Sequence, residues 1–120
     1  MRTRNQTGRL GEGLAADALR AEGFEVLDRN WFGPGGELDL VVLDRDADEV
    51  VGVEVKTRTS RTFGTPAEAV TPAKVRRLRR LLAHWLATHD VRARGVRLDV
   101  VAVELRHAEP PRLEHVRGIC

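Results

Sequence analysis

The segment Glu54-Val55-Lys56 lies within Val50–Arg58, a run that alternates valine with small or charged residues. That alternation has the period of a β-strand. On such a strand Gly52, Glu54, Lys56 and Arg58 share one face, and Val51, Val53 and Val55 share the other. Fifteen residues before Glu54 comes Asp39, within a second apolar strand candidate over residues 37–43. There the same alternation puts Glu37, Asp39 and Val41 on one face. The acidic stretch Asp44–Glu49 suits a hairpin connection, and pairing through it brings Asp39 and Glu54 within reach of one ion. Charges in mid-strand are costly unless paired or bound to a metal. Carboxylate oxygens suit Mg²⁺ or Mn²⁺. A lysine two residues along would point into the same site, to hold an attacking water or to stabilise charge on a phosphoryl group. The plainer alternative is a solvated strand face, with Asp39 a surface acid.

Other residues lean the same way. Glu12 stands between Gly11 and Gly13. A helical glycine costs ~1 kcal/mol relative to alanine, so the pair signals either close backbone approach or a frayed first turn. Lys56 and Lys74 are the only lysines, against eighteen arginines. Lys74 falls inside the apolar arc of its helix, where it either snorkels or faces the site. Arg76, Arg77 and Arg80 fall on the outward face of that helix, for phosphate contact or simple solvation. Trp31, Phe32 and Phe63 are the candidates for base contact, with packing as the alternative reading for Trp31 and Phe32. The histidines (His84, His89, His107 and His115) have no metal-ligand spacing, and the single cysteine, Cys120, rules out an internal disulfide framework.

These residues need elements to position them. The chain has 120 residues, 42% hydrophobic and 32% charged, with a formal charge of only +2. That is the composition of one ordinary globular domain, expected to span 1–120. The first seven residues are polar and expected to be disordered, 8–105 form the core, and 106–120 form a C-terminal extension or edge strand. Residues 11–22 read as a helix closed by Gly23. Strands follow at 24–29, 37–43 and 50–58. The stretch 59–70 reads as a loop with a short helical turn near Ala67–Val70. Thr71-Pro72 opens the second helix, with Val75, Leu78, Leu81, Leu82, Trp85 and Leu86 as its buried stripe. Strands are expected at 96–105 and, at an edge, at 113–116. This predicts an α/β fold of order αβββαβ, a mixed sheet flanked by helices. No stretch approaches the ~18 apolar residues of a membrane span, and nothing resembles a secretory signal; a cytoplasmic location with no membrane partner is the expectation.

The acid on one strand followed by Glu54-Val55-Lys56 on the next resembles the PD-(D/E)xK core of restriction-endonuclease-like folds. More of the chain resembles the uncharacterised YraN-like bacterial family. The matching residues are Gly8-Arg9-Leu10-Gly11-Glu12 with Ala15, Gly36-Glu37-Leu38-Asp39-Leu40, Val53–Arg58, Phe63-Gly64-Thr65-Pro66 with Glu68-Ala69-Val70, and Lys74. That family is similar in its core motifs to archaeal Holliday-junction resolvases. The resemblance implies an endonuclease dependent on Mg²⁺ or Mn²⁺ that acts on DNA, branched or structured DNA included. It implies Asp39 and Glu54 as metal ligands with the carbonyl of Val55, Lys56 as the catalytic lysine, and Glu12 as a helix-borne acid near the metal. Glu37 is then auxiliary, and Arg58, Lys74, Arg77 and Arg9 face the nucleic acid. Cutting a junction takes two active sites, which would make the protein a homodimer, with 96–105 or 113–116 as an interface strand. The alternative function is a nucleic-acid-binding module of nuclease fold that does not cut.

Overall fold

The computed structural model describes residues 3–59 and 70–119. The expected helical turn near Ala67, the motif Phe63-Gly64-Thr65-Pro66 with Glu68-Ala69, and Cys120 lie outside the described residues. Helix α1 spans Arg4–Ala21, followed by strands β1 (Glu25–Gly33), β2 (Gly36–Asp44) and β3 (Glu49–Arg58). Helix α2 spans Pro72–Thr88, and β4 (Gly95–Glu104) and β5 (Arg112–Val116) complete the chain. The expected αβββαβ order is present, extended by β5.

Helix α1 starts seven residues earlier than the apolar periodicity predicts. Thr3 and Gln6 form a reciprocal capping box: the Thr3 hydroxyl accepts from the Gln6 amide, and the Gln6 side chain accepts from the Thr3 amide. Two otherwise orphaned donors are satisfied this way, which starts a helix through polar residues. Thr71 caps α2 by accepting from the Lys74 amide, with Pro72 at the first helical position, as the sequence predicts.

The strands form one sheet in the order β1-β2-β3-β4-β5, antiparallel except for the parallel pair β3–β4. Helix α2 carries the chain across the sheet to make that pair, as parallel neighbours require. β4 therefore lies inside the sheet, covered by β5. The expectation that 96–105 offers a free edge is overturned over Val100–Glu104, whose residues are paired with β3 on one side and β5 on the other.

Each face of the sheet carries one helix. Ala15, Ala16 and Leu19 of α1 pack on Leu40, Val42, Val51, Val53, Val55, Val101 and Val103. Leu78, Leu81, Leu82 and Trp85 of α2 pack on Leu38, Val41, Val50, Leu98 and Val100. β3 runs through the middle, and its valines at 51, 53 and 55 face α1 as the alternation predicts. Burial on both faces makes it the rigid strand on which a charged group is held most firmly.

Candidate metal centre

Helix α1 crosses β3 at Gly11. A Cβ at residue 11 would overlap the Thr57 side chain, so only glycine permits this approach. The two glycines around Glu12 thus do not mark a frayed first turn: Gly11 sits mid-helix and brings the next residue down onto the sheet.

The strand side of the site depends on a change of face. Residues two apart on a strand normally share a face. Leu40 packs under α1, whereas Leu38 packs under α2. The same reversal runs through β1, where the Arg29 guanidinium reaches to α1 at Gly13 and Trp31 packs with the α2 cluster. Between the pairs Arg29↔Leu40 and Trp31↔Leu38, Asn30 stands against Asp39. Asn30 has φ of +50°, the left-handed region. A single residue in that conformation breaks the pleat, and asparagine tolerates it better than most residues do. The expected common face for Glu37, Asp39 and Val41 is therefore corrected. Val41 packs under α2, while Glu37 and Asp39 gather with Glu12 of α1.

The β2–β3 ladder ends at Leu40↔Val53. One residue beyond, Asp39 Oδ2 accepts from the Val55 amide at 2.8 Å, so a carboxylate stands where a main-chain carbonyl would otherwise be. Carboxylate oxygens of Glu12, Glu37 and Asp39 all lie within 4.8 Å of one another. Glu54 is buried beside them. Burial, and then the neighbouring Glu54 carboxyl, push Asp39 up to about 8 against the pull of the Val55 amide. Burial and then Glu37 raise Glu12, opposed by the neighbouring Asn30 side chain and by the charges of Arg29 and Arg9.

Two oxygens in this cluster are left wanting. Glu12 Oε2 and Glu54 Oε2 are buried with no hydrogen-bond partner among the described residues. Lys74 Nζ lies 3.0 Å from Glu54 Oε2, an ion pair by distance without the angle of a hydrogen bond. Lys74 thus reaches the site from α2 and places its charge against Glu54. Lys56 is half-buried on β3, beside Ala102 of β4. Arg58 is half-buried at the end of β3, and Arg9 and Arg77 are exposed on α1 and α2. Val55 is tied to the site through its amide. The structure thus brings Glu12, Glu37, Asp39, Glu54 and Lys74 together, with Arg9 and Arg29 beside Glu12.

The comparisons with known proteins agree along the whole chain. The model of the uncharacterised protein family UPF0102 matches residues 11–103. The chain belongs to that family. A UPF0102 protein of Beutenbergia cavernae is 56% identical over 119 residues, covering 99% of each chain. One of Mycolicibacterium gilvum is 54% identical over 117 residues, covering 98% of this chain and 95% of the relative. One of Renibacterium salmoninarum is 48% identical over 119 residues, covering 99% of each. No helix among the described residues is long and apolar enough to cross a membrane.

Two members of this UPF0102 site escaped the reading of the sequence. Asn30 fell just past the strand expected at 24–29, which in fact runs on to Gly33, although asparagine is itself a candidate for a left-handed residue. Arg29, adjacent to it, carries no local signal, because its approach to Glu12 depends on how α1 docks.

Proposed function

We propose that this chain is a divalent-cation-dependent phosphodiesterase acting on DNA, with its site where β2 and β3 part. The observation that carries the proposal is the crowd of four carboxylates, in which Glu12 Oε2 is buried without a partner among the described residues and Glu54 Oε2 has one cation, Lys74, set against it. Unpaired buried charge is costly, and an all-oxygen donor set is what Mg²⁺ or Mn²⁺ takes. Asp39, Glu12, Glu37 and Glu54 are the residues that would hold the ion. When bound, the ion supplies neutralisation of the charge that develops on the phosphoryl oxygens and lowers the pKa of a water.

The chain's own residues do the rest. Asp39 gives up its proton as the site is loaded, since ligands must be deprotonated. Val55 donates to Asp39 Oδ2 and so fixes the direction of its carboxylate. Lys56, on the same pleat of β3 as Glu54, orients the attacking water and stabilises the developing charge. Lys74 holds Glu54 in place. Arg9, Arg29 and Arg77 bind flanking phosphates as charge-assisted donors.

The test is cleavage of linear, single-stranded, flapped and four-way DNA with Mg²⁺ or Mn²⁺. Wild type is compared with Asp39→Asn and Lys56→Ala, with circular dichroism to confirm folding. The expected result is a loss of roughly 10²–10⁴-fold in each folded variant, the usual range for a positioned catalytic group. Intact wild-type binding in EDTA with no cleavage under any metal overturns the proposal and leaves a nucleic-acid-binding module. Equal cleavage by Asp39→Asn overturns the assignment of the site.

A further inference from the structure

Phe32 is 75% exposed, the most exposed large hydrophobic side chain among the described residues. Its neighbour Trp31 is packed against the α2 cluster and lies against Gly33. The two aromatics thus take opposite sides of β1, and only one of them serves the core. In the β1–β2 ladder Phe32 is the direct partner of Glu37. Directly paired residues in an antiparallel ladder project from the same face, with Cβ atoms about 4.5–5.5 Å apart. Glu37 is one of the three clustered carboxylates, so the exposed ring stands at the rim of the candidate metal centre. Cations stand beside that rim: Arg9 and Arg29 act on Glu12, and the Arg29 guanidinium reaches α1 at Gly13. Arg77 lies on the opposite face of the sheet, its stem over Gly36.

A flat apolar ring beside phosphate-binding cations is how proteins hold a single-stranded nucleic acid: arginine takes the backbone and the ring stacks on a base. A base inside a duplex has both faces covered by its neighbours. A ring on a protein surface therefore stacks on a base that is unpaired or terminal. We infer that Phe32 is a base-stacking residue and that the substrate of this site presents an unpaired base next to the phosphate at the carboxylates, as in an overhang, flap or single strand. This inference rests on the nucleic-acid reading above and deepens it by naming the substrate class.

The test is equilibrium binding in EDTA and in Ca²⁺. The probes are three DNA oligonucleotides of equal length carrying 2-aminopurine: a single strand, a duplex with a short overhang and a blunt duplex. The wild-type protein is expected to bind the overhang more tightly than the blunt duplex by roughly 5- to 150-fold, the range for one stacked base. Its binding should quench the 2-aminopurine placed in the overhang. Phe32→Ala should bring the overhang-to-blunt ratio near one and abolish the quench, and Phe32→Trp should restore both. The exposed position of Phe32 keeps these variants folded. A wild-type ratio near one, or a ratio and quench that survive Phe32→Ala, overturns the inference. If cleavage also depends on Asp39 in that case, the phosphodiesterase reading stands alone. If the wild type binds none of the three probes, both fall together.

Discussion

The side chain of Asp39 takes the place of a main-chain acceptor for Val55. Its Oδ2 accepts from the Val55 amide at 2.8 Å, just past the last ladder pair of β2 and β3. This one hydrogen bond both ends the pairing of the two strands and locks a carboxylate into the gap between them. The other acids then meet there: Glu12 from the helix, Glu37 from two residues upstream and Glu54 from the opposing strand.

The crowding has a measurable cost. Asp39 is pushed up from 3.8 to about 8 in the metal-free protein. A raised carboxyl contributes stability that is full below pH 3.8 and lost as pH rises through about 8. In EDTA, the wild-type Tm should therefore fall between about pH 4 and 8. Asp39→Asn keeps an acceptor for Val55 and removes the charge. Its Tm at pH 8 should exceed that of wild type by several degrees, at roughly 3–6 °C per kcal/mol for this size. A thermal melt series decides it; an Asp39→Asn curve parallel to wild type would contradict this account. Saturating Mn²⁺ should reverse the order, since ~100 times Kd adds about 2.7 kcal/mol to the protein that binds it.

Gly11 sets the distance between α1 and the sheet. Gly11→Ala should destabilise the protein by about 1–3 kcal/mol, because the new methyl overlaps Thr57 and the helix must move. Glu12 moves with it, so the Mn²⁺-induced rise in Tm should shrink as well. Gly11→Ala combined with Thr57→Ala should recover most of both losses. Denaturant titration of the two single variants and the double gives the coupling, and strict additivity would count against a direct clash.

Asn30 separates backbone from side chain. Its φ of +50° strains any residue with a Cβ, and its side chain pulls the pKa of Glu12 down. Asn30→Gly accepts the backbone and deletes that side chain. Stability should stay within about 1 kcal/mol of wild type, while the midpoint of Mn²⁺ binding rises several-fold. Asn30→Val should lose at least ~1–2 kcal/mol from the left-handed backbone alone. Isothermal titration with Mn²⁺ beside chemical denaturation distinguishes the two effects.

The far end of the sheet carries a second charged cluster with a structural role. His115 of β5 places Nδ1 2.9 Å from Glu22, the C-cap of α1, and Nε2 2.8 Å from the fully buried Asp99 of β4. Asp99 also accepts from Arg97 and from the Gly118 amide, and Arg117 lies 3.6 Å from Glu22. Burial works against the charged His115, but hydrogen bonds to Asp99 and Glu22 win and raise it above 6.5. Burial likewise opposes the charge on Asp99, and His115, Arg97 and Gly118 hold it below 3.8. The His115 contribution is full below pH 6.5 and lost as pH rises through its raised value; that of Asp99 is present above 3.8 and lost in acid. His115→Gln, made in the Asp39→Asn background, should lose about 1–3 kcal/mol at pH 6 and much less at pH 9. Urea melts across that range check it, and a loss independent of pH would remove the charge from the explanation.

The αβββαβ order, the strand faces of β3, the cap of α2 and the roles of Gly11 and Thr71 as markers were all legible in the sequence. Local periodicity and cap chemistry depend on neighbours within a few residues, and those are written in the chain. Glu12, Asp39, Glu54 and Lys56 could be singled out for the same reason: charge in mid-strand or beside glycine breaks a local rule. Tertiary structure alone decided that Glu12 meets Glu37 and Asp39 while Val41 turns away and that Lys74 is set against Glu54. It also decided that Trp31 packs, partly buried, against the core while Phe32 faces solvent. All three depend on one left-handed residue, on the depth to which α1 docks, or on the crossing of α2. Sequence periodicity assumes an unbroken pleat, and at Asn30 the pleat breaks.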